Sequence, residues 1–324
     1  MIKYLIWGAG WRSEFYIRVS LAYPEKFSVS GVYIRNPDTY KDFLKKYPQV
    51  KLYTNQNDAL KTEFDFIVSC VSKVNMTDTI LKLSGLGYSV LSETPCAFDK
   101  NTLSIIKNPE HENLKIQVAE QFRFMTLNKA IKRAIDLGYV GTADYAEISL
   151  GHSYHGMSLI RFFLDTRNSP VCLSRNILET NITEICGRYG KIMPHIKKSQ
   201  TEISVYDFGN KKAVLNFSYD QYFSPFRKNR VLIRGEKGEI TERGITALAD
   251  GKTYSDDFEF KADGIYIRNN LLSKYSFPDL DSDHDAIAQV LVKMGEYVRT
   301  GKSFYSIYEE ADDVSYALGI GGTI

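Results

Sequence analysis

Cysteine is scarce in this sequence, four among 324 residues, and Cys70, Cys96, Cys172 and Cys186 form no C-x-x-C pair and have no histidine at zinc-ligand spacing. That excludes a disulfide-stapled scaffold and the common zinc sites, so buried free thiols and no structural metal are expected. An excess of one charge is also missing. Lysine and arginine number 41 against 39 aspartates and glutamates, a net +2, which leaves no basic field to make nucleic acid or an anionic membrane the main partner. No stretch reaches the roughly 18 apolar residues of a membrane span, and the run from Met1 to Trp7 is too short for a signal-peptide core. A cytoplasmic location is expected. Repeats, low-complexity linkers and long charge runs are absent as well.

What remains has the balance of a globular chain, 44% hydrophobic and 25% charged, and a length that suggests two domains at about 150 residues each. In the first third, short apolar runs alternate with helical periodicity. Lys3 to Trp7 reads as a buried strand, Gly8-Ala9-Gly10 as a turn, and Trp11, Phe15, Val19 and Ala22 as one helix face. Strands at Phe27–Ile34, Val50–Tyr53, Asp65–Val71, Tyr88–Leu91 and Leu114–Val118 follow, with a helix opened by Pro37 that carries Phe43 and Leu44 and another over Thr77–Leu86. This alternation predicts an α/β, doubly wound parallel sheet over residues 1–122.

Beyond that point strands predominate, at Ala143–Ser149, Glu202–Tyr206, Ala213–Ser218 and Arg230–Arg234. A helix around Ala130 to Ile135 precedes them, and helices over Asp285–Thr300 and Ile307–Leu318 close the chain. Residues 123–324 are therefore expected to form an α+β domain with an open, mostly antiparallel sheet.

The sharpest chemical signal is Gly8-Ala9-Gly10-Trp11-Arg12-Ser13, a G-x-G-x-x-G pattern ending in serine, which follows a strand and opens a helix. A tight turn at Gly8, a bare backbone at Gly10 and a helix N-terminus together suit a pyrophosphate, and Ser13 is small enough for close helix–strand packing. The second strand ends in Tyr33-Ile34-Arg35-Asn36, with no acid before Asp38 to hold a ribose diol. Arg35 can neutralise a 2'-phosphate and Asn36 can donate a hydrogen bond to it, so NADP is favoured and NAD stays open. The plain alternative is that Arg35 is a solvated residue at a strand end.

Gly8-Ala9-Gly10, Ser92-Glu93-Thr94-Pro95, Glu120-Gln121-Phe122-Arg123-Phe124, Leu137 to Gly141, Arg234 to Glu239 and the closing helices stand in an order that resembles the glucose-fructose oxidoreductase and inositol dehydrogenase family (Gfo/Idh/MocA) from residue 1 to about 318. The resemblance implies an N-terminal Rossmann domain and a C-terminal open sheet that makes a homodimer or dimer of dimers. It also implies a nicotinamide cofactor and hydride transfer at a sugar, polyol or sugar-nucleotide-like substrate. Cofactor-binding positions then fall at Gly8, Gly10, Trp11, Arg12, Ser13, Arg35, Asn36, Val71, Ser72, Glu93, Thr94 and Gln121.

The departures concern the chemistry. The family usually reads Glu-Lys-Pro where this chain has Glu93-Thr94-Pro95, and Thr94 neither titrates near neutrality nor carries charge. The family's Asp-x-x-x-His is matched by Gly151-His152-Ser153-Tyr154-His155, which keeps the histidine and loses the acid; a frequent later Asp is Ser158, and a common Thr-Pro appears as Ser72-Lys73. His155 is the acid–base candidate because imidazole titrates near pH 7; substrate binding without proton transfer and helix capping are its alternatives. Lys73 can replace the missing lysine or be solvated, and Tyr154 is a further catalytic candidate. Arg123 can clamp a substrate carboxylate or phosphate or a cofactor amide, or form an interdomain salt bridge, and His152 can bind substrate. The aromatic run Tyr219 to Phe226 can stack on a sugar ring, or belong to a half-buried sheet or dimer interface.

Three functions are consistent with these residues: an NADP-preferring oxidoreductase, a redox-silent nucleotide-binding sensor or scaffold, and a glycosidase that uses the cofactor transiently.

Overall fold

The structure, a computed structural model, describes residues 1–36, 41–187 and 190–319. Contacts divide the chain into two units, one of Met1–Met125 with Tyr275–Val314 and one of Thr126–Lys274 with the segment from Ser315 onward.

The first unit begins with β1 (Ile2–Trp7), α1 (Trp11–Ala22), β2 (Phe27–Tyr33), α2 (Lys41–Lys46), β3 (Leu52–Tyr53), α3 (Gln56–Leu60) and β4 (Phe66–Ser69). It continues through α4 (Lys73–Gly85), β5 (Val90–Ser92), α5 (Lys100–Ile106) and β6 (Ile116–Val118). The six strands pair in the order β3-β2-β1-β4-β5-β6, all parallel. A parallel strand covered on both faces carries apolar residues in unbroken runs, and all four residues of β4 are buried. The order reverses between β1 and β4, and ligands of such sheets bind at the carboxyl edge beside that reversal.

The second unit holds α6 (Thr126–Asp136), β7 (Ala143–Ser149), α7 (Ser153–Leu164), β8 (Val171–Gly187), β9 (Gly190–Asp207), β10 (Lys212–Ser218) and β11 (Arg230–Gly235). After these come β12 (Gly238–Thr241), β13 (Gly244–Ala249), β14 (Lys252–Asp257), β15 (Glu259–Lys261), β16 (Gly264–Ile267) and β17 (Asn270–Lys274). Eight strands form one sheet in the order β14-β13-β12-β11-β7-β10-β9-β8, and the last three form a small sheet of their own. Only β7 and β10 run parallel in the large sheet, so it is mostly antiparallel as expected. The small sheet was not anticipated, nor was β8. Most of β8 is exposed, so it lacks the one-sided alternation that marks a strand in sequence.

The last helices are α8 (Ser282–Thr300) and α9 (Ile307–Ala317). The boundary expected at residue 122 separated them from the first unit, yet α8 packs on α1, β1 and β4. Ile287, Val290, Leu291 and Met294 share a core with Phe15 and Ile17. The chain thus crosses to the second unit near residue 125 and returns near residue 275. Local periodicity reports an apolar face and not which sheet covers it. Pro37 and Asp38 lie outside the described residues.

Candidate functional site

In the first unit, the glycine turn has the geometry its sequence implies. Gly8 has φ +98°, and a Cβ there would stand 3.0 Å from the Cys70 carbonyl oxygen, so only glycine fits between β1 and the end of β4. Gly10 caps α1, and a Cβ on it would meet nothing within 4 Å. The protein's own packing therefore does not require glycine at Gly10; open space beside a helix N-terminus suits a close-approaching phosphate. Ser13 is fully buried; its Oγ accepts from the Gly10 N–H at 2.8 Å and donates to the Gly10 carbonyl at 2.7 Å.

A cavity of about 610 Å³ opens beside this turn, lined among others by Gly8, Arg35, Asn36, Val71, Ser72 and Lys82. It lies at the carboxyl ends of β1, β2 and β4, where the reversal of strand order places a nucleotide. Arg35 and Asn36 are exposed at its β2 end. These features fit a dinucleotide. Asp78, Asn75 and Gln56 also line the cavity; sequence reasoning missed them because their strand-to-helix distances carry no motif.

Arg12, Glu93 and Gln121 do not line this cavity but meet each other. Arg12 Nη2 donates to Glu93 Oε1 at 2.9 Å and to Gln121 Oε1 at 2.7 Å, and the Tyr16 hydroxyl donates to Glu93 Oε1 at 2.5 Å. Burial and the neighbouring Glu93 charge push the Tyr16 phenol well above its usual range. Trp11 is 38% exposed and Thr94 is half-buried. Lys73 is the exposed first residue of α4, with its ammonium 5.3 Å from the Phe98 ring.

Behind the 93–96 loop lies an acidic cluster. Glu310 Oε2 accepts the Cys96 N–H at 2.8 Å, Thr77 Oγ1 donates to the Cys96 carbonyl at 2.7 Å, and Glu120, Glu310 and Asp313 are fully buried. Burial first, then the Glu120 and Asp313 charges, push the Glu310 carboxyl up to about 8. Arg123 belongs here: Nη2 stands 3.5 Å from Asp313 Oδ2 and the guanidinium lies 4.3 Å from the Tyr305 ring. Both residues of this pair belong to the first unit.

The histidine segment belongs to the second unit. Gly151 has φ +77° and Ser153 φ +48°, so the residue standing where the resemblance asks for an acid is in the left-handed region that favours glycine. His152 precedes α7; its Nδ1 lies 2.7 Å from the Tyr222 hydroxyl and its N–H donates to the same oxygen at 3.1 Å. His155 is 8% exposed, with its ring centroid 5.1 Å from that of His152 and 4.4 Å from that of Tyr154. A cavity of about 290 Å³ opens next to His152, with Tyr219, Tyr222, Asp220, Lys197 and Glu184 in its lining. The Tyr219 ring lies 4.9 Å from His152. Lys197 bridges Glu184 and Asp220. Burial opposes the Asp220 charge, but hydrogen bonds from Ser199 and Lys197 outweigh it and hold the carboxyl below its usual range.

Among the described residues no cluster of histidine, cysteine, aspartate and glutamate could hold a metal ion, and all four cysteines are free. No helix of the described residues is long and apolar enough to cross a membrane.

No protein-family model matches the chain and no curated protein matches it. Solved structures do, over nearly its whole length. An oxidoreductase from Agrobacterium radiobacter, solved with NAD+, L-tartaric acid and magnesium, superposes with a TM-score of 0.67 at 13% identity, covering 98% of this chain and 94% of that one. Apo scyllo-inositol dehydrogenase from Lactobacillus casei gives 0.62 at 15% identity, with 99% and 95% covered. An oxidoreductase from Sinorhizobium meliloti gives 0.67 at 10%, with 98% and 96% covered. The fold is therefore shared, over nearly the whole chain, with these solved structures named as oxidoreductases and an inositol dehydrogenase.

Proposed function

We propose that this chain is an NADP-preferring oxidoreductase acting on a CH–OH group of a sugar, polyol or sugar-nucleotide-like substrate. The observation that carries the reading is the 610 Å³ cavity at the carboxyl edge, with Gly8 at one wall and Arg35 at the β2 end. Gly8, Gly10 and the N-terminus of α1 would hold a pyrophosphate, and Arg35 with Asn36 a 2'-phosphate. A bound nicotinamide supplies hydride transfer. For the substrate, Tyr219 and Tyr222 offer flat faces to C–H groups, while Asp220 and His152 offer hydrogen-bonding edges. His155 is the group assigned to move the hydroxyl proton, since Thr94 cannot do so. The solved relatives that bind NAD+ or are named for an inositol support the class and leave the substrate open.

Titration followed by tryptophan quenching tests the cofactor assignment, because Trp7 lines the cavity. NADPH should bind more tightly than NADH, and Arg35→Ala should narrow the difference. Tighter NADH binding by the native protein overturns the NADP assignment.

Two observations favour a second reading, a nucleotide-binding sensor or scaffold without turnover: uncharged Thr94, and Gly151 in a left-handed conformation in place of an acid. Cofactor that binds and is never consumed across a panel of oxidised sugars supports it. As for assembly, we propose a homodimer or dimer of dimers through the large sheet. The β8–β9 ribbon exposes Ile177, Leu178, Met193 and Ile196, an apolar surface that a second copy would cover.

A further inference from the structure

In the second unit, three strand ends meet at one edge of the large sheet. β7 and β10 run parallel and β11 runs antiparallel to β7, so the carboxyl ends of β7 and β10 lie beside the start of β11. Gln221 ties them together. Its Nε2 donates to the Ser149 carbonyl at 2.9 Å and to the Lys228 carbonyl at 3.1 Å, while its Oε1 accepts the Ser218 N–H at 2.9 Å. Tyr219, Asp220 and Tyr222, on either side of Gln221, line the 290 Å³ cavity beside His152. The chain therefore turns back at residue 228 next to the segment that walls the cavity, and Arg230 then pairs with Ser149.

This turn carries Arg227, Lys228 and Arg230 and no acid. Lys228 and Arg230 are exposed, Arg227 is half-buried, and none of the three forms an ion pair among the described residues. The carboxylates around them are already engaged. Glu184 and Asp220 in the cavity share Lys197, and Glu242, which accepts the Val231 N–H at 3.1 Å, has Arg243 at 3.9 Å. One shared lysine leaves a single negative charge in the cavity against three unpaired cations at its border, so the edge keeps a positive excess. A phosphate ester matches it better than a carboxylate does, because it brings nearly two charges and three acceptor oxygens, and guanidinium meets such oxygens with two donors in a fixed fork.

We infer that the substrate of this site carries a phosphate ester, held by Arg227, Lys228 and Arg230 while its ring packs on Tyr219 and Tyr222. The inference rests on the reading of the His152 cavity as the substrate site. A sugar phosphate and a nucleotide-linked sugar share this chemistry.

The test is calorimetric titration of the protein without cofactor, using glucose, glucose 6-phosphate, UDP-glucose and inorganic phosphate as probes. Native protein should bind one of the esters on the order of 10-fold more tightly than glucose, the scale of hydrogen bonds to charged groups, and inorganic phosphate should compete with it. Which ester binds more tightly tells a sugar phosphate from a nucleotide-linked sugar. Arg227→Gln, Lys228→Gln and Arg230→Gln combined should bring that ester to within about twofold of glucose and leave glucose binding unchanged. Circular dichroism shows whether the variant folds. Arg35→Ala should keep the full preference, since Arg35 lines the other cavity. An absence of preference for either ester overturns the inference, as does a preference that survives the triple variant or is lost in Arg35→Ala. If NADPH binds and none of the four probes does, the inference and the substrate-site reading fall together while the dinucleotide reading stands. Ester binding without NADPH binding overturns the dinucleotide reading alone.

Discussion

Glu310 makes the first unit's stability depend on pH in a direction opposite to that of most carboxylates. Its pKa rises from 4.5 unfolded to about 8 in the folded protein, so between these values the native state binds the proton that the unfolded state has lost. Stability then falls as pH rises through that window, by about 1.4 kcal/mol per pH unit for one group and about 5 kcal/mol in all as an upper bound. Below the unfolded value the penalty vanishes. Glu310→Gln removes the titration, and its carboxamide oxygen can still accept the Cys96 N–H. The assay is guanidinium unfolding at pH 5, 6.5 and 8, followed by tryptophan fluorescence. The chain has two tryptophans, Trp7 and Trp11, both in the first unit. The native protein should lose several kcal/mol relative to the variant between pH 5 and pH 8, so that Glu310→Gln becomes the more stable of the two at the alkaline end. Parallel curves for the two proteins would refute the argument, since they would mean that Glu310 is solvated or paired in a way its burial does not suggest.

Gly8→Ala forces a side chain into a left-handed conformation against the Cys70 carbonyl, and should cost about 1–2 kcal/mol in thermal unfolding and abolish NADPH binding. His155→Ala should lower the rate on a confirmed substrate by on the order of 100-fold while leaving NADPH affinity nearly unchanged; full activity reassigns the proton to Lys73 or Tyr154. Thr94→Lys should raise turnover if the chain is a weakened oxidoreductase and leave a sensor silent, as a sugar panel would show. Light scattering should give at least twice the 37.0 kDa chain mass, and a monomer at micromolar concentration rejects the proposed assembly.

The first sheet was legible because its physics is local. Strands buried on both faces are unbroken apolar runs, and the Gly8 turn is a backbone requirement that sequence spells out. The β8–β9 ribbon was not, beyond the Glu202–Tyr206 stretch of β9. Strands exposed over most of their length show no alternation, and their pairing is set by register with each other. Helix α8 was read correctly as a helix and placed with the wrong half. The covering of its apolar face by α1 and the first sheet joins residues more than 200 positions apart, which no window of sequence reports.

The candidate site divides along the same line. Gly8, Arg35, Val71 and Ser72 could be named in advance because strand ends in a doubly wound sheet converge on one edge, and position in the alternation is enough to find them. The company Arg12 keeps could not. Glu93 and Gln121 stand 81 and 109 residues away from it, and the sequence placed Arg12 only as a motif position between Gly10 and Ser13. The resemblance directs attention to Thr94, where a charge is missing; the folded chain carries a charge one residue earlier, as Glu93, and places a guanidinium upon it. A neutral residue at one motif position therefore does not make the surrounding site neutral. Arg12 also opposes the upward push of burial on the Asp283 carboxyl, so the charge there is set by Arg12, Glu93 and Asp283 together, from three distant stretches of the chain.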